Sequence, residues 1–308
     1  MFNFKKKNIK KKRLVILANC QSSALAKTLL ENSEFSNTYE WDHIAPIQTL
    51  HKKDTLDVIG KVKEADLFIY QPIKQTATRP VELTSDFLLK KLKRKSTPIS
   101  FPSLYFDGYF PHLQTLMGKT SVLNLVHDYI IAYSCAIGLS EADTLAMIQD
   151  ERLYPEEISR ELAKKSINNL SERENEFVTD IKVSPYISKY YKNIKLFNQF
   201  NHPTRPVFKY LAEKIFLIIG LNEGTISESG SGYLDAIMTP IYKSTYENLD
   251  LSFNEKFTIY NGLNKAGIKQ PDVIKEFFIF YNQQEKKDLI EFIKRMKPFV
   301  PKIVDAYI

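Results

Sequence analysis

The 308-residue chain carries 43 Lys and Arg against 36 Asp and Glu, a formal net charge of +7. Seven of the cations lie in the first thirteen residues, MFNFKKKNIKKKR, which hold no acid, so the remainder is formally neutral and gives no charge-based reason to expect a nucleic-acid surface. Ten glycines argue against glycine-rich phosphate loops and solenoid repeats, and two cysteines exclude a disulfide framework and point to a reducing compartment.

Residues 14–18, LVILA, form a β-branched run suited to a buried strand, and the helical spacing of Ala24, Leu25, Thr28 and Leu29 follows it. The first unit therefore reads strand, tight turn, helix, with Cys20 at the turn. The apolar run is too short for a lipoprotein leader, and the longest later run, KIFLIIGL at 214–221, is far below the ~20 residues of a membrane span. The chain is expected to be cytoplasmic. A second strand is expected within 40–48, a helix over LDVIGKVKEA, a buried strand at LFIY (67–70) and a helix around 84–95. This alternation predicts an α/β fold, a parallel sheet flanked by helices. Residues 121–181 read as helical, KLF (195–197) as the last short strand, 207–221 as a helix, and 222–308 as loops with one strong helix near 271–295. The expected organisation is a basic flexible tail (1–13), a catalytic α/β domain (14–221) with a helical insertion at about 121–190, and a mainly helical C-terminal extension (222–308).

Three positions follow predicted strands. Open parallel sheets place their sites beyond the carboxyl ends of strands, where amides at a helix start favour anions. Cys20 lies there, and its thiol pKa is expected to be lowered; a small buried core residue is the competing reading. Gln71, after LFIY, offers an amide for a developing oxyanion or, more simply, a cap for loop backbone. His202, in NHPTRP, is kept out of a regular helix by the following proline and suits a base beside a sulfur nucleophile, or a structural cap. A fourth candidate is the loop PSLYFDGYFPH at 102–112, whose interleaved aromatics, Asp107 and His112 suit a wall for a sugar or nucleotide, or a packed Ω-loop. Cys135 lies in an apolar stretch and reads as core. No Walker motif, H-E-x-x-H or paired C-x-x-C occurs, so no metal is expected.

Asn19-Cys20-Gln21 after the first strand, Asp66 to Gln71-Pro72, the 102–112 loop and Leu196-Phe197 to Asn201-His202-Pro203-Thr204 together resemble the WcbI-type polysaccharide-biosynthesis proteins, over roughly residues 14–220. The resemblance implies an SGNH-hydrolase-like core and coenzyme-A-dependent O-acetyltransferase activity. Cys20 takes the place of the nucleophilic serine of SGNH enzymes, Gln71 that of the third-block asparagine, and His202 that of the catalytic histidine. The acid expected three residues before the histidine is replaced by Gln199, and the second-block glycine has no counterpart.

The function so implied is transfer of acetyl from acetyl-CoA to a sugar hydroxyl in capsular or surface polysaccharide biosynthesis. A carbohydrate esterase of the SGNH type and a non-catalytic glycan- or nucleotide-binding capsule-assembly protein are the alternatives. Gln21, Ser22, Lys74, Arg79 and Arg205 are the expected coenzyme A contacts, and Tyr105, Asp107, Tyr109, His112 and Asn201 the expected contacts of the sugar acceptor. Residues 5–13 are expected to give weak association with an anionic membrane surface, which would place the chain at the periphery of the inner membrane.

Overall fold

The structure, a computed structural model, describes residues 10–77, 79–116, 121, 123–221, 226, 232–262 and 265–308. Residues 5–9 of the basic stretch fall outside them. In chain order the elements are β1 (Lys12–Leu17), α1 (Gln21–Leu30), α2 (Ser33–Thr38), β2 (Tyr39–Trp41), α3 (Thr55–Glu64), β3 (Leu67–Tyr70), α4 (Ser85–Leu89), β4 (Thr97–Ser100), β5 (Leu113–Thr115) and β6 (Val126–Asp128). Then come α5 (Tyr129–Ile137), α6 (Glu141–Gln149), α7 (Glu156–Glu176), α8 (Ser184–Tyr190), β7 (Phe197–Gln199), β8 (His202–Pro203) and α9 (Arg205–Ile219). The chain closes with α10 (Lys243–Asn248), β9 (Ile259–Gly262), β10 (Lys265–Lys269), α11 (Gln270–Tyr281), α12 (Lys286–Met296) and α13 (Phe299–Tyr307). The described residues within 1–103, 173–183 and 205–230 form one compact unit, and those within 104–172, 184–204 and 231–308 another.

The first unit contains a four-stranded parallel sheet in the order β2-β1-β3-β4. Leu14, Val15, Ile16 and Leu17 are all fully buried. Successive strand side chains point to opposite faces, so both faces of the sheet are covered. On one face Val15, Leu17 and Phe68 pack against Val58 and Val62 of α3 together with Leu83 and Leu88. Helix α1 packs on β1 and on α9. Arg205, at the start of α9, reaches Glu31 just beyond α1 through two guanidinium nitrogens at 2.9 and 2.5 Å, a bidentate, mostly buried tie between the two helices.

Several expected elements are corrected. The helix expected over 84–95 ends at Leu89, and an unexpected strand, β4, follows. Pro98 holds Thr97 extended, and as an edge strand β4 tolerates the proline. The second strand is only Tyr39–Trp41. Within 121–181 the chain first forms β6, paired antiparallel with β5 from before that range, and then three separate helices. Asp128 caps α5 by accepting from the Ile130 and Ile131 amides, Gly138 ends it at φ +89°, and Ser140 caps α6. The helix near 271–295 is two helices, α11 and α12, parted by the polar stretch 282–285.

The second unit is built around α5. Residues 129–136 are buried all round, and α6, α11, α12 and α13 pack against this helix. Cys135 sits there at 3% exposure, with its thiol 3.5 Å from the Asn282 side-chain oxygen, and both cysteines are free. The strand at KLF is also corrected. It is β7, and it pairs antiparallel with β8 in a two-stranded sheet rather than joining the parallel one. His202 therefore lies within a hairpin strand instead of beyond the carboxyl end of a sheet strand.

Among the described residues no helix is long and apolar enough to cross a membrane.

Candidate active site

In the sheet unit the parallel ladder runs out at three neighbouring strand ends. The Gln71 amide donates to Leu17 O at 2.9 Å and the Phe101 amide to Tyr70 O at 3.0 Å, so residues 18–22, 71 and 101–103 leave the sheet side by side. The order β2-β1-β3 makes the β1/β3 boundary the point where the winding reverses, the position at which open α/β sheets form a binding crevice.

Gln71 joins these ends. It is 4% exposed. Its Oε1 accepts the Asn19 amide at 3.0 Å, while its Nε2 donates to Gln21 Oε1 at 2.8 Å and, at 3.5 Å, to the Pro102 carbonyl. Asn19 completes the junction: its Oδ1 accepts the Gln21 amide at 2.9 Å, its carbonyl accepts the Ser22 amide at 3.0 Å, and its Nδ2 donates to Ser103 Oγ at 3.2 Å. The turn that carries Cys20 is thus held on both sides. From sequence, Asn19 stood out only within the Asn19-Cys20-Gln21 motif and Ser103 only within the 102–112 loop, neither with a role. Asparagine two residues before the helix start was the available signal for the first, whereas Ser103 lies 84 residues away and its link to this turn had none.

Cys20 occupies the residue before α1 with helical backbone angles, φ −53° and ψ −14°. Desolvation by burial pushes its thiol pKa up, and this outweighs the hydrogen bond from its own amide. The expectation of a lowered pKa is therefore corrected. The resting group is a neutral thiol, because the turn shields it from water more than the helix start stabilises its anion. Alkylation of Cys20 by iodoacetamide should rise with pH through a midpoint above the ordinary thiol value of about 8.5. A midpoint near 7, measured by mass spectrometry of the labelled peptide, would restore the thiolate reading.

The other candidates fall as follows. Ser22 is buried, and its hydroxyl has no partner among the described residues. Lys74 is exposed, pairs with Glu176 and lies 4.9 Å from the Phe177 ring centre. It also borders a cavity of about 410 Å³ lined in part by Tyr70, Pro72, Ile73, Phe87 and Phe177. Arg79 is half-buried and bridges Thr76 in the turn beyond. Arg205 is engaged by Glu31.

From Leu104 onward, where it enters the second unit, the 102–112 loop is largely core. Phe106, Tyr109 and Phe110 are fully buried, and the Tyr109 hydroxyl donates to the Ile194 carbonyl at 3.2 Å and to that of Tyr191. Gly108 cannot carry a side chain, since a Cβ would meet the Phe106 ring at 2.4 Å and Ala163 Cα at 3.0 Å. Tyr105, Asp107 and Asn201 are half-buried. The Tyr105 ring lies 5.2 Å from that of Phe200, and Asp107 faces Lys297 at 3.7 Å.

His112 is sealed in a polar core. It stacks on Tyr242 at 4.0 Å, and its Nε2 lies 3.7 Å from Asp128 Oδ2, which accepts the Tyr242 hydroxyl at 2.6 Å. Burial lowers the His112 pKa to about 3 and raises that of Asp128 to about 6. At neutral pH the histidine is uncharged, so the 3.7 Å approach is not an ion pair. Asp128 with a raised folded pKa loses stability as pH rises from about 4 to 6, while His112 with a lowered one gains stability from about 3 to 6.5, each by about 1.4 kcal/mol per pH unit. The two slopes cancel between them. Relative to wild type, His112→Gln should therefore lose stability as pH rises from 4 to 6, and Asp128→Asn should gain it, in urea titrations across that range. Parallel curves for all three proteins would contradict the assignment.

Open α/β sheets bind ligands at the winding reversal, and here that position carries a buried polar junction beside a cysteine. Comparison with known proteins makes the class specific. The family model described as the polysaccharide biosynthesis enzyme WcbI matches residues 13–224. The chain belongs to the WcbI family of polysaccharide biosynthesis enzymes. A solved WcbI structure, described as the native protein without a disulfide bond between coenzyme A and one of its cysteines, shares the fold at a TM-score of 0.85, with 20% identity over 96% of this chain and 99% of that one. No curated protein matches the chain.

Proposed function

We propose that this chain transfers an acetyl group from acetyl-CoA to a sugar hydroxyl during assembly of a capsular or other surface polysaccharide. The observation that carries the reading is the Cys20 turn, clamped by Gln71 and Asn19 at the winding reversal of the sheet. The WcbI structure, in which coenzyme A and a cysteine are described together, supports placing the coenzyme A sulfur beside Cys20.

In the step proposed, the sugar oxygen attacks the thioester carbonyl. A C–O bond forms, the C–S bond breaks, and the hydroxyl proton passes through a base to the departing coenzyme A sulfur. The base is His202, as the resemblance implies. Burial lowers its pKa, and the neutral ring is the form a base requires. The Gln71 amide is committed to the turn, so the oxyanion falls to the Cys20 main-chain N–H, whose described partner is only its own sulfur. A resting neutral thiol fits direct transfer, with Cys20 lining the thioester site, better than an acyl-enzyme. Gln21 and Ser22 shape the same turn, Lys74 and Arg79 are proposed for the coenzyme A phosphates, and Tyr105, Asp107 and Asn201 for the acceptor sugar.

Calorimetric titration with coenzyme A tests the donor. Wild type should bind one equivalent, and Cys20→Ser should bind within a few-fold of it. A flat wild-type titration would refute the reading.

A further inference from the structure

The β7–β8 hairpin contains a buried side chain, Gln199, and a buried ring nitrogen, Nδ1 of the half-buried His202, whose hydrogen bonding the proposed chemistry leaves unexplained. Gln199 is fully buried, yet neither its Oε1 nor its Nε2 has a hydrogen-bond partner among the described residues. His202 Nδ1 is likewise buried and without one. These two residues are cross-strand partners in the hairpin register. Side chains of such a pair leave the ladder on the same face, with Cβ atoms about 5 Å apart. A buried amide and a buried ring nitrogen left unpaired are each costly, and here each has as its neighbour the group that would satisfy the other.

The tautomer follows from the remaining contact. The imidazole donates to the Ile237 main-chain carbonyl. Because Nδ1 is partnerless, the donating nitrogen is Nε2, which leaves a lone pair on Nδ1. A carboxylate, which can only accept, could not meet that lone pair. An amide N–H can. The acid on the Ile237 segment, Asp235, is taken by Asn198 Nδ2 at 2.6 Å and by the Gly232 amide.

We infer that Gln199 is the positioning residue of His202, its amide donating to Nδ1 of the neutral ring and turning to present Oε1 when Nδ1 takes up a proton. An amide can serve both protonation states, so the ring is held in place without the stabilisation of its cation that a carboxylate would supply. This rests on the reading of His202 as the base of the proposed transfer, but its test does not require coenzyme A.

The test is long-range proton–nitrogen NMR of His202 in the full chain from pH 4 to 9, for wild type, Gln199→Glu and the shape-preserving Gln199→Met. Wild type should show the Nε2–H tautomer and titrate below the ordinary histidine value of about 6.5. Gln199→Glu should raise that midpoint by a unit or more, a tenfold or greater change in the ionisation constant. Gln199→Met should shift the Nδ1 resonance toward that of an unbonded nitrogen. An Nδ1–H tautomer in wild type would overturn the inference, and so would a His202 titration and Nδ1 resonance unchanged in the variants that fold. Loss of coenzyme A binding in the calorimetric titration would defeat the transferase reading and leave this result standing.

Discussion

His202→Ala should lower kcat/KM for acetyl transfer by about 10²- to 10⁴-fold, the range for loss of a general base, while coenzyme A affinity stays within about threefold of wild type. The residue is half-buried in β8, and desolvation, partly opposed by its bond to the Ile237 carbonyl, lowers its pKa. A base of that kind is already neutral near pH 7. The wild-type rate should therefore climb with pH to a plateau with its midpoint below 6.5, the ordinary histidine value, and the alanine variant should lose this inflection. Transfer by His202→Ala at the wild-type rate would remove the residue from the chemistry.

The second large effect is on the clamp. Gln71→Leu removes the acceptor of the Asn19 amide and the donor to Gln21 at a buried junction. Leaving those groups unpaired should cost about 3 kcal/mol, a fall in Tm of roughly 5–10 °C, and should weaken coenzyme A binding by at least tenfold as the Cys20 turn loosens. Gln71→Glu is the informative partner. It keeps an oxygen for the Asn19 amide, and the Gln21 amide can turn to donate to the second oxygen, so most of the stability should return. Scanning calorimetry and coenzyme A titration of both variants check the pair of outcomes. Equal Tm values for wild type and Gln71→Leu would show that the junction is not what holds the turn.

The sheet centre was legible because Leu14–Leu17 of β1 and Leu67–Ile69 of β3 are short apolar runs, buried on both faces, whose length and β-branched or aromatic content favour a strand. β4 was not, because its outer half, Thr97-Pro98, is exposed and carries a proline, and only Ile99 and Ser100 enter the core. The β5–β6 and β7–β8 hairpins are strands of two or three residues, too short for a period-two pattern to register. The division of the helical stretch was half visible: Ser140 marks the start of α6 by a local rule, whereas Asp128 marks that of α5 only once β6 is known to precede it. Cys20 and Gln71 stood out because a strand end is a local feature. Their connection through Asn19 and Ser103 depends on contacts between distant parts of the chain. The aromatic loop misled for a physical reason. Tyr and Phe make a ligand wall or a packed core with equal ease, and Gly108 under the Phe106 ring shows that here most of the loop is core. The thiol was misjudged because a helix start is visible in sequence and the burial that overrides it is not.

The central claim, that the Cys20 turn receives the thiol end of coenzyme A, is tested most directly by exposing the reduced protein to coenzyme A disulfide and mapping the adduct by mass spectrometry. Attack by the Cys20 sulfur would form one protein–coenzyme A disulfide and release one molecule of coenzyme A thiol. A single reversible adduct is expected at Cys20, suppressed by excess acetyl-CoA and absent from Cys135. Labelling that ignores acetyl-CoA, or that reaches Cys135 as readily as Cys20, would contradict it.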